Sequence, residues 1–228
     1  LFAANQQRPP RPSLPGGYVK LYGYFRSSAA YRVRIALNLK DLPYEMIPVH
    51  LTRDGGKHKT PEYRAINPQM RVPTLELSNG DRILQSLAII EYLDEVFPEP
   101  ALLPVDAIDR AHVRAVSQII AADIHPLNNL VTLNYLKKLG HDQAAVDEWY
   151  RSWVLAGFEA IEPLLKPGPY AFGNRVTLAD ICLVPQIFNA RRFKTPLDAF
   201  PKILAVEAAC AKIAAFDKAR PENQPDAE

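Results

Sequence analysis

Cysteine is scarce: Cys182 and Cys210 are the only two in 228 residues. Two thiols cannot build a disulfide scaffold or a four-cysteine zinc site, and without a CxxC pair dithiol redox chemistry is excluded. Each lies among apolar residues at helical spacing, so both read as packing residues of a protein in a reducing compartment, consistent with a cytoplasmic location. Long apolar runs are missing too. None approaches the roughly 18 residues of a membrane-spanning helix, so no membrane partner is expected. Nor does one sign of charge dominate: 27 Lys and Arg against 25 Asp and Glu leave +2, too mild to point to nucleic acid. There is no Gly-rich phosphate loop, no HExxH and no GxSxG. His125 has no second His or Cys at ligand spacing, so no metal is expected.

What is present is ordinary globular composition, 48% hydrophobic and 23% charged, in a length suited to one large domain or two small ones. Residues 1–18, LFAANQQRPPRPSLPGGY, contain four prolines, two glutamines and two glycines, and cannot build a core. They read as a flexible extension, and they lack the apolar stretch of a secretory signal.

Residues 19–98 alternate strand and helix signals. Val19 and Leu21 flank Lys20 in a short strand. Ala29, Val33, Ala36 and Leu37 mark one face of a helix ending near Lys40, before Leu42-Pro43. A second strand falls within 44–51, and RDGGKHKTPEY (53–63) reads as a loop. Strands at 74–77 and 82–84 flank Asn79-Gly80, a two-residue hairpin signal. Leu87, Ile90, Leu93 and Phe97 mark a second helix. The expectation is a small mixed α/β sheet, its first two strands parallel and its last two antiparallel. Pro98–Pro104 reads as a stiff linker. Residues 105–220 carry helical signals only: a long helix broken by Pro126, another from Val146 to Leu164, one opened by a capping box at Thr177–Asp180 and reaching about Asn189, and a last one from Ile203 to Phe216. The tail 221–228 is expected to be loose.

Several places could carry chemistry. Arg26-Ser27-Ser28 precedes the first helix, where free N–H groups and the dipole stabilise an anion; the serines suit a plain N-cap equally. Gln85-Ser86 opens the second helix with the same two readings. Val72-Pro73 precedes a strand, where pattern alone favours a trans proline. Arg191-Arg192 suits carboxylate capture, or merely complements a helix end, as do Arg110 and Arg114. His125, Asn128 and Asn129 cluster at the Pro126 break, facing either a cleft or the broken backbone.

Taken together, these segments resemble the zeta-class glutathione transferases across about residues 19–226. FRSSAAYRVRIAL (25–37) is similar to the class signature, NPQMRVPTLEL (67–77) and ILQSLAIIEYLDE (83–95) to the two glutathione-site segments, and VTLADICLVPQ (176–186) to the capping motif of the helical domain. DIHPLNN (123–129), ARRFKTPL (190–197) and QPD (224–226) also match. The resemblance implies a thioredoxin-like domain at 19–98 followed by an all-α substrate domain at 105–220, in a homodimer. It implies glutathione as cofactor and cis–trans isomerisation of a maleylacetoacetate- or maleylpyruvate-type diketo-acid, in the breakdown of aromatic compounds. Ser27 would stabilise the thiolate, with Ser28 beside it, and Arg26 and Arg192 would face the acidic substrate. Pro73 would be cis, with the Val72 backbone pairing with the cysteinyl part of glutathione. Gln85 and Ser86 would hold the γ-glutamyl carboxylate, Lys57 or His58 the glycyl end, and His125 and Asn129 would line the cleft. One position departs. The class usually carries Cys after the two serines, and here it is Ala29, which argues against reductive dehalogenation through a mixed disulfide. A general transferase, an α-haloacid dehalogenase and a non-catalytic binding module are the competing expectations.

Overall fold

The computed structural model describes residues 19–228; the extension expected over 1–18 lies outside the described residues. Strand β1 (Val19–Gly23) pairs in parallel with β2 (Tyr44–Pro48), and β3 (Thr74–Glu76) pairs antiparallel with both β1 and β4 (Arg82–Leu84). The order β2-β1-β3-β4 puts β1 and β3 in the centre, with Leu21 and Leu75 fully buried. Between β1 and β2 runs α1 (Ser28–Leu39), its Val33, Ala36 and Leu37 all buried as the spacing required. Ala29 does not share that face: it is the second residue of the helix and only partly buried.

The 74–84 hairpin is not a two-residue turn. Leu77 still donates to the Asp81 carbonyl, and Gly80 (φ +88°) donates to Leu77, so three residues, 78–80, make the loop. An Asn-Gly pair can serve either geometry, because the glycine supplies the positive φ both need. The segment 53–63 is likewise more than loop. Gly55 and Gly56, both at positive φ, separate two single 3₁₀ turns, and α2 (Pro61–Ile66) starts on Thr60, whose hydroxyl accepts the Tyr63 N–H.

After α3 (Ser86–Val96) the 98–104 segment is pinned. Lys40, 3% exposed, donates to the Phe97 and Pro100 carbonyls and to Asp94. Leu102 is buried, its N–H on Asp94 and its carbonyl accepting from Leu178. The helical half follows: α4 (Ala107–Gln118), α5 (Leu130–Lys138), α6 (Gln143–Ile161), α7 (Leu178–Arg192), α8 (Pro201–Cys210) and α9 (Ala214–Lys218). Three expectations are corrected here. The helix before Pro126 does not kink and continue. It widens into a π turn over Ile119–Ile124 and ends, because proline has no N–H to extend it, and Asn129 caps a fresh start for α5. The last helix is two, split where Ile213 turns extended. The tail 221–228 is not loose: Pro221 and Gln224 are buried, and Asp226 bonds back to Phe25.

Helix α1 packs on α3, α7 and α9, so one hydrophobic core runs through both halves. At its centre α7 opens on the anticipated capping box. The Asp180 carboxylate, fully buried, accepts from the Thr177 amide and hydroxyl and from the Ala171 amide. Asp180→Ala strands three donors at once and is expected to cost about 2 kcal/mol, read as a lower urea midpoint at unchanged slope.

Candidate active site

A cavity of about 510 Å³ opens along the seam between the two halves. The start of α1 supplies its floor. Ser27 is the N-cap, extended at ψ 116°, and its Oγ accepts the Ala30 N–H at 3.2 Å. The hydroxyl proton is left free to donate, so capping and site are compatible functions of the same atom. Ser28, 3% exposed, sits 3.1 Å from His125 Nδ1.

The tautomer of His125 follows from its neighbours. The Asn129 carbonyl oxygen accepts the Val131 N–H as the cap of α5, so its amide nitrogen is the atom turned toward His125 Nε2, 3.4 Å away. An amide nitrogen only donates, so Nε2 is the acceptor and Nδ1 carries the proton. His125 then donates to Ser28 Oγ, and the Ser28 proton is free. The ring stays neutral: burial first, then the nearby charges of Arg32 and Arg71, push its pKa down to about 3 from the usual 6.5. Between those values the unfolded chain binds a proton that the folded chain does not. Stability is therefore full above about pH 6.5 and falls as pH drops toward 3. Near pH 5 the loss is about 2 kcal/mol. His125→Asn should shrink the difference between urea midpoints at pH 7 and pH 5.

Two arginines face the serines. Arg26 leans on Tyr24 Oη (2.8 and 3.2 Å) and lies over the Phe25 ring at 4.9 Å. Arg192, in the last turn of α7, donates to Asn189 Oδ1 at 3.5 Å, with its Cζ 6.0 Å from the Phe193 ring. Among the described residues neither makes a salt bridge. Burial, then the positive charge of Arg26, lowers the pKa of Arg192. Two cations that border one cavity, neither held in a salt bridge among the described residues, form a site for an anion.

The opposite wall comes from the sheet half. The Val72–Pro73 bond is cis, reversing the expectation from pattern alone and agreeing with that from resemblance. Among the described residues nothing hydrogen-bonds the Val72 backbone. Gln85, at φ +69°, and Ser86 lie at the start of α3, which has no side-chain cap; Gln85 bonds Gln69 instead. His58 lines the cavity with its Nδ1 buried and without a hydrogen-bond partner among the described residues, and burial, then Lys59, lowers its pKa. Lys57 does not line it. Its ammonium pairs with Asp54 at 2.8 Å on the surface. The remaining residues singled out from the sequence as site candidates (Arg26, Ser27, Ser28, Val72, Pro73, Gln85, Ser86, His125, Asn129 and Arg192) all border the one cavity. Arg110 and Arg114 do not: they bond the Pro104 and Val105 carbonyls and Glu91.

Arg32 is the residue sequence reasoning missed. It is 1% exposed and borders the cavity; one guanidinium nitrogen donates to Ser86 Oγ at 3.3 Å, while Nε and the other nitrogen have no partner among the described residues. The available signal was a charge inside an otherwise apolar helix stretch. Cys182 and Cys210 are free, fully buried, and their thiols are pushed up by burial, so neither replaces the thiol missing at Ala29.

Comparisons with known proteins agree with this architecture. Residues 21–101 match the glutathione S-transferase N-terminal domain model, and residues 143–209 the C-terminal domain model. The chain is 50% identical over 208 residues to maleylacetoacetate isomerase of Pseudomonas aeruginosa, covering 91% of this chain and 98% of that one. It is 48% identical over 213 residues to maleylpyruvate isomerase of a Ralstonia species, covering 91% and 99%. Among solved structures, a holo maleylpyruvate isomerase described as a bacterial zeta-class glutathione S-transferase superposes with TM-score 0.88 at 48% identity, over 92% of this chain and all of that one. A maleylacetoacetate isomerase of Anaeromyxobacter dehalogenans with glutathione in its active site gives TM-score 0.84 at 39% identity, over 92% and 98%. A sheet half of thioredoxin-like design, a helical half and a near-full-length match at this identity place the chain in the glutathione S-transferase family, as a member of its zeta class.

Proposed function

We propose that this chain catalyses the glutathione-dependent cis–trans isomerisation of a maleylacetoacetate- or maleylpyruvate-type diketo-acid. The observation that carries the reading is the pair Arg26 and Arg192, neither in a salt bridge among the described residues, bordering one cavity with two serine hydroxyls. Relatives near 50% identity with those two names supply the substrate class.

The residues fit glutathione on this structure's own evidence. The uncapped start of α3, Ser86 and the orphaned guanidinium nitrogens of Arg32 together suit a carboxylate. The unpaired Val72 backbone suits an extended peptide. His58, rather than Lys57, is placed to reach a second carboxyl end. Glutathione, when bound, would supply a thiol nucleophile for reversible addition to a conjugated double bond, the chemistry that permits rotation about it. Ser27, at the positive end of α1, donates its free proton to hold sulfur in the anionic form. Ser28 donates too, its oxygen occupied by His125. Arg26 and Arg192 bind the substrate carboxylates and stabilise negative charge on the carbonyl oxygen during addition. Ala29 offers no thiol, which sets the reductive dehalogenase reading aside.

The test is an absorbance assay with both diketo-acids, with and without glutathione. Isomerisation only with glutathione, at constant total thiol, supports the proposal; consumption of thiol supports a transferase instead. We further propose a homodimer in the cytoplasm, the latter because both cysteines are free. Light scattering should give twice the 25.5 kDa of one chain.

A further inference from the structure

The end of the helical half returns to the site it does not line. Beyond α9, residues 219–228 fold over α1, with Gln224 donating to the Lys218 and Arg220 carbonyls. This presents Asp226, whose Oδ2 accepts the Phe25 N–H at 3.0 Å. Phe25 belongs to neither strand nor helix; it joins β1 to Arg26-Ser27. Its carbonyl is held from the same side by Arg34, fully buried in α1, which donates to the carbonyls of Phe25 (3.0 Å), Tyr24 (3.5 Å) and Ala219 (2.9 Å). Both polar groups of Phe25 are thus fixed from outside the loop, one by Asp226 and one by Arg34. Glu228 adds a third tie: it pairs with His50 and Arg53, each at 2.7 Å, and the His50 ring packs edge-on against Tyr24, the side chain that supports Arg26.

From this geometry we infer that Asp226 is a positioning residue of the active site, holding the Phe25 backbone so that the Arg26 guanidinium and the Ser27 hydroxyl point into the cavity. What those two groups do there rests on the function proposed above; that Asp226 holds the loop does not. The mechanism is mechanical. An amide without an acceptor beneath a packed loop must find another, and a shift of about 1 Å at a catalytic group costs on the order of a hundredfold in rate.

The experiment compares Asp226→Ala, Asp226→Asn and a chain ending after Gln224. Hydrogen exchange is followed on the peptide spanning residues 24–28, alongside steady-state kinetics and the ultraviolet titration of bound glutathione thiol. Alanine and the shortened chain should exchange at least about tenfold faster there, the scale of one charge-assisted hydrogen bond. They should lose about thirtyfold or more in kcat, with the glutathione KM within about threefold and the bound thiol titrating at higher pH. Asparagine keeps an oxygen acceptor and should restore all three measures. The shortened chain removes only residues that are not buried, so it remains informative if the alanine variant fails to fold. Unchanged exchange, unchanged kcat, or an asparagine variant as impaired as alanine each overturns the inference. An unmodified enzyme that turns over neither diketo-acid overturns the function instead, and the exchange data still decide whether Asp226 holds the loop.

Discussion

Arg192→Met should lower kcat/KM for the diketo-acid by about a thousandfold, some 4 kcal/mol of transition-state stabilisation, with glutathione affinity unchanged. The size follows from the environment. Arg192 is half shielded, has no carboxylate partner among the described residues, and already carries the cost of lying near Arg26. A substrate carboxylate relieves that cost and gains a charge-assisted hydrogen bond, and an oxygen that becomes negative during addition gains more. Methionine matches much of the volume and removes the charge, so the loss reports electrostatics rather than packing. Arg192→Lys should recover only part, because an ammonium cannot span two oxygens as the planar fork does. A methionine variant within tenfold of the parent would place the substrate carboxylates elsewhere.

The second large effect is at Ser27. Ser27→Ala should reduce kcat about a hundredfold while changing the glutathione KM by no more than about threefold, as expected for a donor aimed at developing or retained negative charge. It also removes the cap of α1, an expected stability loss of about 1 kcal/mol, which a urea titration measures separately. Ser27→Thr keeps both functions and should rescue both. If the alanine variant turns over normally, the thiolate is held by Ser28 alone, whose free proton is directed by the Asn129–His125 chain. The double variant Ser27→Ala, Ser28→Ala then separates the two hydroxyls.

Much of the architecture was legible because it depends on local pattern. The alternation of Val19 and Leu21, the three- and four-residue spacing in α1, the Thr177–Asp180 box and the Pro98–Pro104 punctuation all constrain the chain within a few residues of themselves. Errors arose where a local signal had two outcomes. Asn79-Gly80 fits a two- or a three-residue loop, and Pro126 can kink a helix or end one. The 221–228 tail has a composition that cannot form its own core, yet its buried residues dock on a core built by others.

The chemistry at Ser27, Ser28, Gln85 and Ser86 shows the same division. Short polar residues before helices announce N-termini, and N-termini announce anions or caps, so the sequence alone placed these residues at the right kind of position. Folding decided that the start of α1, the start of α3 and the end of α7 meet at one cavity, that Lys57 turns away from it while His58 turns in, and that Arg32 reaches it from inside a helix. These depend on contacts between segments far apart in the chain, and side-chain direction at such contacts is set by packing rather than by neighbours in sequence. Sequence determined what each segment could become and which residue types could bind an anion; the tertiary structure decided which of them share one volume, because only the closure of the two halves on a common core brings their polar ends within reach of the same molecule.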